Sequence, residues 1–146
     1  MRRVLPENVV DMTGPISDTA PDILVVDDSP GIVEAVTQVL DEEGYRVRTA
    51  ANGREALCRV IERLPDVILL DLMMPIMDGW EFVARLKKLP NGGKPRIVLL
   101  SAVRGLELEA DGTRADDWLG KPFTVEDLLD KVASALHQVP LTASPS

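Results

Sequence analysis

Val67-Ile68-Leu69-Leu70-Asp71-Leu72-Met73-Met74-Pro75 reads as a strand followed by a break. Four apolar, mostly branched residues in a row fit a strand buried on both faces, the kind found inside a parallel sheet. The run ends on a carboxylate. Pro75 and then Asp78-Gly79 interrupt the chain just beyond it, which puts Asp71 at the C-terminal end of the strand, at a loop. Open α/β sheets bind their ligands in the crevice outside those carboxyl ends. A lone aspartate there is either a loop cap or a chemical group.

The same logic extends outward. Asp22-Ile23-Leu24-Val25-Val26 is a second buried strand, and it ends in Asp27-Asp28. Ser29 and Pro30 open a helix. Ile32, Val33, Val36, Val39 and Leu40 recur along it at helical spacing, and Gly44 stops it. Tyr45 to Ala50 alternates as a half-exposed edge strand. Asn52-Gly53 leads into a helix carrying Ala56, Leu57, Val60, Ile61 and Leu64, and Pro65 ends it. Downstream, Asp78 caps a helix running from Trp80 to about Leu89, with Phe82, Val83 and Leu86 inward. A turn at Pro90-Asn91-Gly92-Gly93 precedes a buried strand from Arg96 to Leu100, ending on Ser101. Gly105, Gly112 and many acids leave residues 102–116 room for a short or frayed helix at most. Asp117 to Lys121 is a last short strand. Thr124 then caps a helix with Val125, Leu128, Leu129, Val132, Leu136 and Val139 on its apolar face.

This alternation predicts an α/β fold, a doubly wound five-stranded parallel sheet with helices on both faces. One domain is expected over residues 22–139. Residues 1–21 form an extended or disordered arm, in which Val9-Val10 offers a short edge contact, and residues 140–146 a polar tail. The 146 residues carry a net charge of −8, which argues against a nucleic-acid or anionic-membrane surface. Arg54, Arg59 and Arg63 read as a solvated helix face. The single cysteine, Cys58, reads as a small core residue; with no intrachain disulfide available, a reducing cytoplasm is the expected location. No apolar run has the length of a membrane span or signal peptide.

Four strands end on polar or charged groups: Asp27-Asp28, Asp71, Ser101 and, near the last strand, Lys121. Parallel strands bring those ends to one edge. Three carboxylates in one crevice repel each other and call for a cation. Oxygen donors without histidine or cysteine suit Mg²⁺ or Mn²⁺. A lysine and a hydroxyl beside the metal could stabilise phosphoryl oxygens, with the central aspartate as nucleophile.

The sequence resembles the receiver domain of two-component response regulators, a flavodoxin-like doubly wound fold. The resemblance covers about residues 22–139. It rests on Asp27-Asp28, on Asp71 with Met73-Met74-Pro75 and Asp78-Gly79, on Ser101-Ala102, and on Ala115-Asp116-Asp117-Trp118-Leu119 running into Lys121-Pro122-Phe123. It implies that Asp71 accepts a phosphoryl group from a histidine of a kinase or phosphotransfer partner. Asp28, Asp71 and the Met73 backbone carbonyl would bind Mg²⁺, with Asp27 helping through water. Ser101 and Lys121 would contact the phosphoryl group, and the Lys121-Pro122 bond would be cis. Trp118 matches an aromatic switch position that responds to Ser101; packing at the sheet edge is its plainer role. Ile32, Ala35 and Pro122-Phe123 would form part of the partner-docking surface.

The stretch from Ser101 to Lys121 is shorter than usual for this family, and Arg114 stands where a glycine commonly precedes Ala115. The output face is therefore less well defined than the phosphorylation site. The output expected is contact with an unknown protein target, as a stand-alone regulator or relay intermediate; a homodimer is left open. An aspartyl-phosphate phosphatase would carry a second acid two residues after the nucleophile, where Met73 stands. A flavin or nucleotide binder would need a glycine- or hydroxyl-rich loop in place of Asp27-Asp28-Ser29-Pro30. A phosphorylation-independent binding module is the alternative kept.

In this family the positions two residues beyond Asp71 and Ser101 tune self-dephosphorylation. Here they are Met73 and Val103, and neither can orient a water. A long-lived phosphoryl group is expected. Met73→Asn with Val103→Glu should speed its loss in a decay assay, and an unchanged decay rate would refute this.

Overall fold

The computed structural model describes residues 20–101 and 115–138. The arm up to residue 19, the segment 102–114 and the tail from 139 lie outside the described residues. The described elements run β1 (Asp22–Val26), α1 (Pro30–Glu42), β2 (Arg46–Ala50), α2 (Gly53–Glu62), β3 (Val67–Asp71), α3 (Gly79–Leu86), β4 (Arg96–Ser101), β5 (Asp117–Gly120) and α4 (Val125–Gln138).

The strands form one parallel sheet in the order β2-β1-β3-β4-β5. Connections run outward in both directions from the β1–β3 pair. That pair is the switch point where crevices open in doubly wound sheets. Every residue of β1 and β3 is buried, as their unbroken apolar runs require.

Alternate strand residues feed opposite faces. Ile23, Val25, Val67, Leu69, Val98 and Leu100 pack with Val36 and Leu40 of α1 and Leu128 and Val132 of α4. Leu24, Val26, Ile68, Leu70 and Leu99 pack with Ala56 and Val60 of α2 and Phe82, Val83 and Leu86 of α3. The two layers clamp β1 and β3 from both sides.

The helix starts are fixed by side chains. Ser29, Asn52 and Asp78 each accept a hydrogen bond from the backbone N–H three residues on. Glu55 reaches back to the Ala51 N–H at 2.8 Å, the reciprocal half of a capping box offset by one residue.

Several expectations are corrected. Cys58 is exposed rather than in the core. Ile61 is 70% exposed and Val125 54%, although both sit in apolar helical patterns. α2 meets the sheet with Ala56 and Val60, and that stripe leaves Cys58 and Ile61 outside it. α3 ends at Leu86, because the chain turns there through Lys87 to Gly93. β2 begins at Arg46 and β5 ends at Gly120, each one residue inside its expected span.

Two of the three arginines Arg54, Arg59 and Arg63 are not simply solvated. Asp22 is buried, and its carboxylate pairs with Arg48 Nε at 3.1 Å and Arg63 Nε at 3.0 Å. The Arg48 guanidinium also donates to the Arg59 and Arg63 carbonyls, both at 2.7 Å, which satisfies carbonyls at the end of α2. Arg59 donates to the Thr49 carbonyl at 3.1 Å.

The β3–α3 connection is tight. A Cβ added at Gly79 would lie 2.8 Å from the Asp71 carbonyl oxygen and 2.8 Å from Leu72 Cα. Gly79→Ala must therefore shift the helix start against the strand that carries Asp71. It should lower the urea midpoint by an amount equivalent to about 1–3 kcal/mol; an unchanged midpoint would contradict this close approach.

Candidate functional site

The parallel sheet carries the ends of β1, β3 and β5 to one edge. β1 hands the chain to Asp27, β3 ends on Asp71, and Lys121 follows β5 directly. One carboxylate oxygen from each of Asp27, Asp28 and Asp71 lies within 4.8 Å of the others.

Asp27 is 1% exposed. One of its oxygens accepts the Ser29 N–H at 2.9 Å and the other accepts Lys121 Nζ at 2.8 Å. Its own N–H donates to the Ala50 carbonyl of β2. Asp71 is 6% exposed. It accepts the Met73 N–H at 3.2 Å and lies 3.7 Å from Lys121 Nζ. Asp28 is exposed. Lys121 thus stands between two buried acids and is nearer to Asp27.

One ammonium does not neutralise this cluster. Burial pushes the Asp71 carboxyl above its usual value, and the neighbouring charge of Asp27 pushes it further. The Lys121 ammonium and the Met73 N–H pull it down, and Asp28 adds a smaller upward push. The upward causes win. Three hard oxygen donors with excess negative charge are a fitting donor set for Mg²⁺ or Mn²⁺. Histidine and cysteine contribute nothing to it, which argues against zinc.

The remaining expected residues fall around this centre. β4 ends on Ser101, beside Gly120 of β5 in the sheet register, and the Ser101 side chain lies outside the described residues, as does Val103. Trp118 is partly buried against the α2–α3 side of the core, and its indole Nε1 is buried with no hydrogen-bond partner among the described residues. The Lys121-Pro122 bond is cis. Ile32, Ala35, Pro122 and Phe123 line one cavity of about 460 Å³ with Gly31, Val36 and Lys121. The expected docking residues thus share one apolar surface whose rim is the site lysine.

The lip of the site holds a feature that the sequence reading missed. Ile76 has φ 70° and is 74% exposed, and the Met77 N–H bonds back to the Pro75 carbonyl at 2.7 Å. A β-branched residue in that turn is strained by about 1–3 kcal/mol. The strain is held in place because the Met77 carbonyl accepts the Gly53 N–H at 2.9 Å. Pro75 and Asp78-Gly79 signalled a break here, but no residue type signalled which residue would carry the strained angle.

The family model for the response regulator receiver domain matches residues 23–133. The chain is 37% identical to the chemotaxis response regulator CheY4 of Vibrio cholerae, covering 81% of this chain and 100% of that one with a TM-score of 0.76. It is 34% identical over 120 residues to the DNA-binding dual master transcriptional regulator RpaA of Synechocystis, and 37% identical over 121 residues to the phosphate regulon transcriptional regulatory protein PhoB of Rhizobium meliloti. Those stretches are 81% of this chain in both cases, and 50% and 53% of the two relatives. The chain therefore spans about half the length of the curated relatives it matches.

The raised Asp71 carboxyl has a consequence for stability. A carboxyl raised in the folded state binds protons more tightly there than when unfolded, so its ionisation costs stability as pH rises through the folded value. Without divalent metal, Asp71→Asn should raise the thermal midpoint at neutral pH. The gain should vanish in acid, below the unfolded value. A midpoint that falls at neutral pH contradicts this account of the site.

Proposed function

The chain belongs to the response-regulator receiver domain family, and from that premise we propose that Asp71 is its phosphoryl acceptor. The observation that carries this reading is the convergence of Asp27, Asp28 and Asp71 within 4.8 Å, with Lys121 Nζ beside them. Receiver domains bind Mg²⁺ in an acidic pocket and interact with histidine kinases or phosphotransfer proteins. They are signalling proteins rather than enzymes turning over a separate substrate.

In the proposed step an Asp71 carboxylate oxygen attacks the phosphorus of a partner phosphohistidine. The new O–P bond forms as the N–P bond breaks, and the departing imidazole takes up a proton. Asp28, Asp71 and the Met73 carbonyl would hold Mg²⁺, with Asp27 acting through water. The ion, when bound, supplies positive charge opposite the phosphoryl oxygens. Lys121 leaves its Asp27 contact to pair with the incoming group. Little rearrangement is needed, because its ammonium already sits 3.7 Å from Asp71.

Ser101 then contacts a phosphoryl oxygen, and Trp118 responds. Among the described residues the buried Trp118 indole N–H has no partner, and this supports the role, since such a donor has little there holding it to one arrangement. Phosphorylation would shift an existing two-state equilibrium and alter binding to a downstream protein. The output we propose is contact of the receiver itself with a protein target, and a net charge of −8 favours a protein surface over nucleic acid.

The direct test is intact-protein mass after incubation with acetyl phosphate and Mg²⁺. One phosphoryl adduct is expected, dependent on metal and absent from Asp71→Asn. No adduct, with beryllofluoride also leaving Trp118 fluorescence unchanged, would favour the phosphorylation-independent binding module.

The cavity at Ile32 and Phe123 supports these residues as the docking surface, since an apolar patch beside a reactive group suits a partner helix. Ile32→Asp should slow phosphotransfer from the cognate partner by roughly tenfold or more, the effect of losing about 1.4 kcal/mol of contact. Labelling by acetyl phosphate should be unchanged. Equal transfer rates from the partner would sink this assignment.

A further inference from the structure

A second groove, sharing no residue with the phosphorylation site, lies between α2 and α3. Leu57, Ile61, Ala84 and Leu89 give it apolar walls, Arg85 and Lys88 line it with positive charge, and its volume is about 510 Å³. Glu81 is there too, but its carboxylate is held by Arg85 at 2.8 Å. Ile61 stands 70% exposed at its edge. Nothing in the proposed phosphotransfer uses this face.

The described chain begins beside this groove. Asp22 opens β1, and its carboxylate pairs with Arg63 at 3.0 Å, two residues beyond Ile61. The Asp22 N–H bonds to the Asp66 side chain at 2.8 Å, just past the end of α2. The described chain therefore enters the sheet at the C-terminal end of α2, where Ile61 lies. α2 has 10 residues. Its length is therefore about 15 Å. The eight residues from Met12 to Thr19 can span up to ~26 Å, enough to run along it.

The preceding sequence has matching chemistry. Val9, Val10 and Met12 are apolar, and Glu7 and Asp11 flank them with negative charge. We propose that residues 7–12 of this same chain occupy the α2–α3 groove. The valines and Met12 cover Leu57 and Ile61, and Glu7 and Asp11 face Lys88, the lining cation that Glu81 does not pair with. This inference does not depend on the phosphoacceptor assignment, because the groove shares no residue with that site.

Cys58 makes the test direct, being the chain's one cysteine, exposed and next to Leu57 on α2. A nitroxide on Cys58 of the full-length, isotope-enriched protein should broaden the backbone amide signals of Val9 to Met12. A mixture of nitroxide-labelled unenriched chain with unlabelled enriched chain should show no such broadening. Ile61→Asp places a carboxylate against the apolar wall and should cut the docked fraction roughly tenfold. Val10→Asp should do the same from the arm side, where it leaves the folded sheet untouched. Broadening in the mixed sample would mean that a second copy fills the groove and would overturn the proposal. Absence of broadening, or broadening indifferent to both variants, would overturn it as well.

Discussion

Two buried carboxylates are held close by a frame that does not let them separate, and the exposed Asp28 joins them within 4.8 Å. β1 and β3 are hydrogen-bonded neighbours whose residues are buried on both faces. Asp27 and Asp71 ride on the ends of those strands, and neither can swing into water without disturbing the sheet. Lys121 relieves part of the repulsion, and its ammonium lies 2.8 Å from Asp27 and 3.7 Å from Asp71. Burial, and then the repulsion that remains, raise the Asp71 carboxyl, and the excess negative charge makes the crevice favourable for a divalent cation. The chemistry proposed for the chain uses that residual charge imbalance.

The rest of the molecule maintains the placement. Two apolar layers hold β1 and β3 between α1 with α4 and α2 with α3. At the opposite edge of the sheet, Asp22 gathers Arg48 and Arg63, and Arg48 caps the end of α2. A buried carboxylate with two guanidinium partners is costly to disrupt, because either loss leaves charge without a partner. The sheet therefore has ionic clusters at both ends. In one, each carboxylate oxygen faces a guanidinium of the chain, and the other is left short of positive charge. The strained Ile76 turn lies on the deficient side, tied to the start of α2 through Met77 and Gly53.

Much of this was legible in the residues. The apolar runs before Asp27 and Asp71 identified the two central strands, because strands buried on both faces read as near-continuous apolar runs. The order of strand ends then placed Asp27, Asp28, Asp71 and Lys121 together before any distance was known. Ile32, Ala35, Pro122 and Phe123 were grouped by resemblance, and the structure brings them to one surface. Other features were hidden for physical reasons. Arg48 on an alternating strand looks solvent-facing, and only the fold brings it to Asp22, 26 residues away in sequence. Cys58 and Ile61 share a helix with core residues, and helical spacing alone does not fix the edge of the buried stripe. The left-handed angle at Ile76 falls on a residue type that rarely adopts it, so no residue type marked it.

The central claim is that burial and neighbouring negative charge raise the Asp71 carboxyl without metal, and that a divalent cation relieves it. The most direct measurement is a carboxyl-carbon NMR titration of Asp71 in the full chain, with and without Mg²⁺. The account predicts that Asp71 titrates above the ordinary aspartate range in the absence of metal and moves down when Mg²⁺ is added. An ordinary titration without metal, or one indifferent to Mg²⁺, would contradict it.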